Sequence, residues 1–129
     1  MKALIVEDDP ASRRLMHAYL SPLGECDLAS DGPEALNLVT AAIDRSETYD
    51  LICLDIMMPE MTGHEVLRTI RAMEEEREIF PPSKVIMTTA LKDRDNVMAA
   101  FTNQCEAYLM KPISRENLFE KLRTLGINA

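Results

Sequence analysis

Leu51-Ile52-Cys53-Leu54-Asp55-Ile56-Met57-Met58-Pro59-Glu60-Met61-Thr62-Gly63 is the stretch that decides the fold. Four consecutive apolar residues predict a short strand buried on both faces, and the strand stops on an acid. From about Gly63 the period becomes helical, with Val66, Leu67, Ile70 and Met73 turned toward a sheet. A buried strand followed at once by an amphipathic helix is one βα unit.

The unit recurs on either side. Ala3-Leu4-Ile5-Val6 ends on Glu7-Asp8-Asp9, and Asp9-Pro10 offers an N-cap with proline at the first helical position. The helix that follows is expected to run to about Leu23-Gly24, with Ala11, Leu15, Ala18 and Tyr19 on one face. Glu25 to Ala29 is more polar and predicts an edge strand; Ser30-Asp31-Gly32-Pro33 then turns into a helix carrying Ala35, Leu38, Val39 and Ala42. Beyond Pro81-Pro82 come a strand at Val85-Ile86-Met87, a helix over Asp93 to Thr102, a strand at Tyr108-Leu109-Met110, and a last helix capped by Ser114 with Leu118, Leu122 and Leu125 on one face. Strands that alternate with right-handed helical crossovers require a parallel sheet covered on both sides. With 129 residues a barrel is impossible. The expected fold is therefore α/β, a flavodoxin-like doubly wound (βα)5 with strand order 2-1-3-4-5, in one domain over residues 1–129.

Charge and composition narrow the function. Lys+Arg 14 against Asp+Glu 22 gives a net charge of -8, which repels a phosphate backbone and argues against nucleic acid as a partner. No stretch has the length of a signal-peptide core or a membrane span, so a cytoplasmic protein with no membrane partner is expected. Cys26, Cys53 and Cys105 are odd in number and widely spaced, and they read as buried thiols rather than a disulfide or metal framework.

In the 2-1-3-4-5 order the switch point falls between the first and third strands, at whose carboxyl ends Asp8, Asp9 and Asp55 sit. Like charges at close range disfavour mutual ionisation and persist more readily around a cation, and an oxygen-only donor set suits Mg²⁺. Asp9 also serves as the cap of the first helix, a role that leaves Asp8 and Asp55 unexplained. Thr89 and Lys111 end the remaining strands on the same edge, and a hydroxyl and an ammonium facing carboxylates are the electrostatic equipment of phosphoryl transfer.

Taken together, Glu7-Asp8-Asp9, Leu54 through Gly63, Thr89-Ala90 and Lys111-Pro112 resemble the receiver domain of two-component response regulators, in a stand-alone form like the chemotaxis receivers. The resemblance spans essentially the whole chain. It implies that Asp55 is the phosphoacceptor, that Asp8, Asp9 and Asp55 with the Met57 carbonyl hold Mg²⁺ (Mn²⁺ as a substitute), and that Lys111 and Thr89 contact the phosphoryl group. It further implies a switch formed by Thr89 and Tyr108, altering the face made by the fourth helix, the fifth strand and the last helix, and a Lys111-Pro112 bond that is often cis in the family. The implied partners are a histidine kinase or histidine phosphotransfer protein as donor and a downstream protein target. The implied state is a monomer or a phosphorylation-dependent dimer without an output domain. Such a protein catalyses its own phosphorylation and slow dephosphorylation without being a conventional enzyme.

Three other readings compete. An aspartate-nucleophile phosphatase of the haloacid dehalogenase type needs an acid two residues after its nucleophile, and that position is Met57, which shuttles no protons. A flavodoxin-like cofactor carrier must cradle a phosphate after the first strand, where Asp8-Asp9 would repel it. A phosphorylation-independent interaction module differs only in whether Asp55 is ever modified. Against the family pattern, Gln104 stands where a helix-closing glycine is common, with Asn103 able to take that conformation. The run Glu74-Glu75-Glu76-Arg77-Glu78 puts negative charge at a helix C-terminus and is expected to fray into solvent. Met57, Met58, Met61, Met73, Met87, Met98 and Met110 are expected to be packing residues, and apolar Met57 and Leu91, flanking Asp55 and Thr89, predict slow loss of a phosphoryl group.

Overall fold

At the centre of the structure, a computed structural model describing residues 1–90 and 105–129, strand β3 (Leu51–Asp55) is buried at every position. Around it stand β1 (Lys2–Val6), β2 (Glu25–Ala29), β4 (Lys84–Ala90) and β5 (Ala107–Lys111), all parallel, in the order β2-β1-β3-β4-β5. The helices among the described residues are α1 (Pro10–Leu20), continued by a 3₁₀ turn at Ser21–Leu23, α2 (Gly32–Asp44), α3 (Gly63–Glu76) and α4 (Arg115–Thr124). The helix expected over Asp93 to Thr102, together with Leu91, Met98, Asn103 and Gln104, lies outside the described residues.

The pleat sorts the sheet's side chains into two cores. Leu4, Val6, Ile52, Leu54, Val85 and Met87 face α2 and α3, where Val39, Val66, Leu67 and Ile70 meet them. Ala3, Ile5, Leu51, Cys53, Ile86 and Leu109 face the other way, toward Met16 and Leu20 of α1 and Leu118 and Leu122 of α4. Leu51, Ile52 and Leu54 are all 0% exposed, so truncating one to alanine costs about 2–5 kcal/mol. β2 is an edge, as its polarity predicts.

Three expectations are corrected. The inner face of α1 is Met16 and Leu20, while Ala11, Leu15 and Ala18 are exposed; the apolar period fixed the helix but not its rotation. Met57 and Met110 are exposed rather than packed. The acidic end of α3 does not simply fray at Glu74: this residue is buried, with Arg71 Nη1 2.7 Å from Oε1 and the Ser83 backbone N–H donating to Oε2 at 2.7 Å. Glu75, Glu76 and Glu78 are exposed. A sequence pattern shows the charge of Glu74 but not the guanidinium that reaches it from one turn earlier. The thiols Cys53 and Cys105 are buried, Cys26 is half-buried, and all are free.

Candidate functional site

Strands β1, β3, β4 and β5 deliver their last residues to one edge. Asp55 ends β3, and the backbone N–H of Met57 donates to its Oδ1 at 3.4 Å. Beneath it α3 begins abruptly: a Cβ on Gly63 would collide with the Asp55 carbonyl, so glycine alone permits this close approach, and the Gly63 N–H donates to the Ile56 carbonyl at 2.8 Å. A capping box between Thr62 and Glu65 fixes the start of the helix.

The carboxylates that come together are those of Glu7, Asp8 and Asp55, with one oxygen from each lying within 4.8 Å of the others. Asp9, expected in this group, is not part of it. Its side chain is the N-cap of α1 and accepts from the Ser12 N–H at 2.9 Å, which together with the Ser12 side chain lowers its pKa. Glu7 takes the inward place. It is 3% exposed, its Oε1 lies 2.6 Å from Lys111 Nζ, its Oε2 accepts from the Asp9 N–H at 3.2 Å, and its carbonyl accepts from Arg13 Nη1 at 2.9 Å. The available sequence signal was Asp9-Pro10: a carboxylate committed to a cap is unavailable to a cation, which leaves the two acids before it.

Lys111 reaches both buried acids, with Nζ 3.4 Å from Asp55 Oδ2, and the bond to Pro112 is cis. One ammonium shared between Glu7 and Asp55 leaves negative charge in excess. Desolvation, with Glu7 and then Asp8 beside it, pushes the Asp55 carboxyl up to about 8, and Lys111 only partly offsets this. Burial alone would lower the Lys111 pKa, but Glu7 and Asp55 outweigh it and raise it.

Thr89 is buried in β4, and its hydroxyl donates to the Ala90 carbonyl at 3.3 Å. Tyr108, half-buried on β5, packs against the core shared with α2 and α3; burial and the neighbouring Cys105 raise the pKa of its phenol. Its backbone is opposite Met87, and Thr89 is opposite Met110, so Thr89 and Tyr108 sit on adjacent strands two registers apart. Excess buried carboxylate, an ammonium and an all-oxygen donor set fit a hard divalent cation, and they fit poorly a soft metal. No helix among the described residues is long and apolar enough to cross a membrane.

Many known proteins are similar to this chain. The chain is 33% identical over 127 residues to the chemotaxis protein CheY of Pseudomonas aeruginosa, covering 97% of this chain and 95% of that protein. It is 33% identical over 126 residues to the regulatory protein VanRB of Enterococcus faecalis, covering 97% of this chain but about half, 52%, of that one. Among solved structures, the response regulator protein TrrA of Thermotoga maritima, in complex with Mg(2+)-BeF, superposes with a TM-score of 0.74 at 30% identity, over 96% of this chain and 97% of that one. The model of the response regulator receiver domain matches residues 3–123, and the chain belongs to that family.

Proposed function

We propose that Asp55 accepts a phosphoryl group from a phosphohistidine on a histidine kinase or histidine phosphotransfer protein, and that this mark changes a protein-binding surface in a cytoplasmic signalling pathway. The observation that carries the reading is the convergence of the Glu7, Asp8 and Asp55 carboxylates beside the Lys111 ammonium. Relatives that pair a receiver with a kinase, such as the hybrid signal transduction histidine kinase L of Dictyostelium discoideum, support the choice of donor. The complex of TrrA with Mg(2+)-BeF supports the choice of metal.

Glu7, Asp8 and Asp55 are the side chains that would hold Mg²⁺, with the Met57 carbonyl, and Asp9 keeps its cap. When bound, the ion neutralises the carboxylates and draws charge from the phosphoryl oxygens. An Asp55 oxygen forms the new bond to phosphorus while the bond from phosphorus to the imidazole nitrogen breaks, and the ring, protonated on its other nitrogen, departs as neutral imidazole with the electron pair. Lys111 exchanges a carboxylate for a phosphoryl oxygen, and Thr89 turns its hydroxyl from the Ala90 carbonyl to another. Movement of Thr89 frees space at the β4–β5 pair for Tyr108, which transmits the change to the surface of β5. The chain is thus a signalling module whose chemistry ends in its own modification.

Incubation with acetyl phosphate and magnesium, followed by intact mass, tests this. Wild type gains about 80 Da, Asp55→Asn gains nothing, and chelation of magnesium abolishes the gain. Modification that survives Asp55→Asn overturns the assignment.

A further inference from the structure

On the α1 and α4 side of the sheet, a cavity of about 310 Å³ opens directly beside the site, lined by Glu7, Ser12, Leu15, Met16, Thr88, Lys111, Pro112 and Ile113. Its inner wall is the Lys111–Glu7 ion pair itself, and its outer wall is apolar: Leu15, Met16, Pro112 and Ile113. The pleat places Asp55 on the same side, because residues 51, 53 and 55 of β3 alternate with 52 and 54, and Leu51 and Cys53 face this core. Leu15 is 41% exposed at the mouth, an apolar side chain on a helix face that otherwise turns Arg14, His17 and Ala18 to solvent. Transfer of a phosphoryl group needs none of this apolar surface.

We propose that the cavity is a leaving-group subsite, giving the site a preference among small phosphodonors for acyl phosphates with an extended apolar acyl chain. The inference rests on Asp55 being the phosphoacceptor. In the reaction, the Asp55 carboxylate forms a bond to phosphorus, the bond from phosphorus to the acyl oxygen breaks, and a carboxylate leaves with the electron pair. One anion replaces another, and no proton or further reactant is required. The phosphoryl group meets Lys111, and the acyl chain lies along Leu15, Met16 and Ile113. The volume is several times that of a butyryl chain, so an apolar tail enters without displacing protein atoms, and each methylene withdrawn from water there favours the longer donor.

Rates of phosphorylation by butyryl phosphate and acetyl phosphate, whose leaving carboxylates have nearly the same basicity, measure the preference. With magnesium and equal donor concentrations, intact mass over time is expected to give wild type a butyryl-to-acetyl ratio of about five or more. Leu15→Trp, which fills the mouth, and Leu15→Asp, which makes it polar, are expected to bring the ratio to about one; both changes are at an exposed position and leave the core intact. A wild-type ratio of one or below, or a high ratio that both variants retain, overturns the subsite. Absence of modification by both donors overturns the assignment of Asp55 as well, so the two failures are distinct.

Discussion

The two edges of the sheet each bury carboxylates beside a basic side chain, and they treat them in opposite ways. At the amino-terminal edge, Arg71 Nη1 lies 2.7 Å from Glu74 and donates to the Ser83 carbonyl at 2.8 Å, while Nη2 lies 3.0 Å from Glu106. Backbone N–H groups complete the set, Ser83 to Glu74 at 2.7 Å and Val85 to Glu106 at 2.5 Å. Every carboxylate oxygen that is buried there has a donor, and the cluster ties α3 to the starts of β4 and β5. At the carboxyl-terminal edge, three acids gather, two of them, Glu7 and Asp55, share one ammonium, and Asp55 is held far above the ordinary carboxylate range. Donor supply separates a fastening from a binding site: a satisfied buried pair wants nothing more, whereas an under-supplied one favours a cation.

Removing the cation at each edge gives the widest contrast. Arg71→Met strands the buried Glu74, while Glu106 is exposed and keeps the Val85 N–H, and the change is expected to cost about 3 kcal/mol, visible as a fall in Tm of about 10 °C. Lys111→Met is expected to cost less stability and to slow phosphorylation by acetyl phosphate about 100-fold. Equal melting penalties at the two edges would break the comparison.

A smaller effect separates the neighbouring acids of the β1–α1 loop. Glu7→Gln is expected to weaken magnesium binding, followed calorimetrically, about tenfold or more, whereas Asp9→Ala lowers Tm by uncapping α1 and leaves magnesium affinity unchanged. The reverse pattern would return Asp9 to the metal.

The smallest effect is on stability against pH. Because the folded-state pKa of Asp55 is raised from 3.8 to about 8, the native chain holds that proton more tightly than the unfolded one, so this residue's contribution to stability falls as pH rises through that interval. In metal-free protein, Asp55→Asn is expected to raise Tm at pH 7.5 by about 3 °C and to flatten the decline between pH 5 and 8. Magnesium is expected to raise the wild-type Tm and leave the variant's nearly unmoved.

Much of the fold was legible because burial on both faces leaves an unmistakable mark: Ala3 to Val6 and Leu51 to Leu54 are continuous apolar runs, and each helix after them begins with a cap that the sequence spells out. The meeting of Asp55 and Lys111 was legible for a related reason, since each is polar where an apolar run stops. Side-chain direction beyond a strand's last residue was not. Of three consecutive acids the chain turned Glu7 inward, because the pleat that carries Ala3 and Ile5 toward α1 carries residue 7 with them, while the helix claims Asp9. The rotation of α1 was hidden too, because Leu15 and Met16 are equally apolar and only the sheet decides between them.

The acids of the carboxyl-terminal edge are encoded at positions 7, 8 and 55, but the counter-charge they share arrives only at position 111, on the outermost strand of the sheet. A nascent chain emerging from a ribosome therefore carries the whole negative cluster for half its length before β5 exists to balance it. Partial neutralisation of that edge and closure of the sheet are one event, so docking of the last strand to be synthesised is rewarded by the glutamate that follows the first.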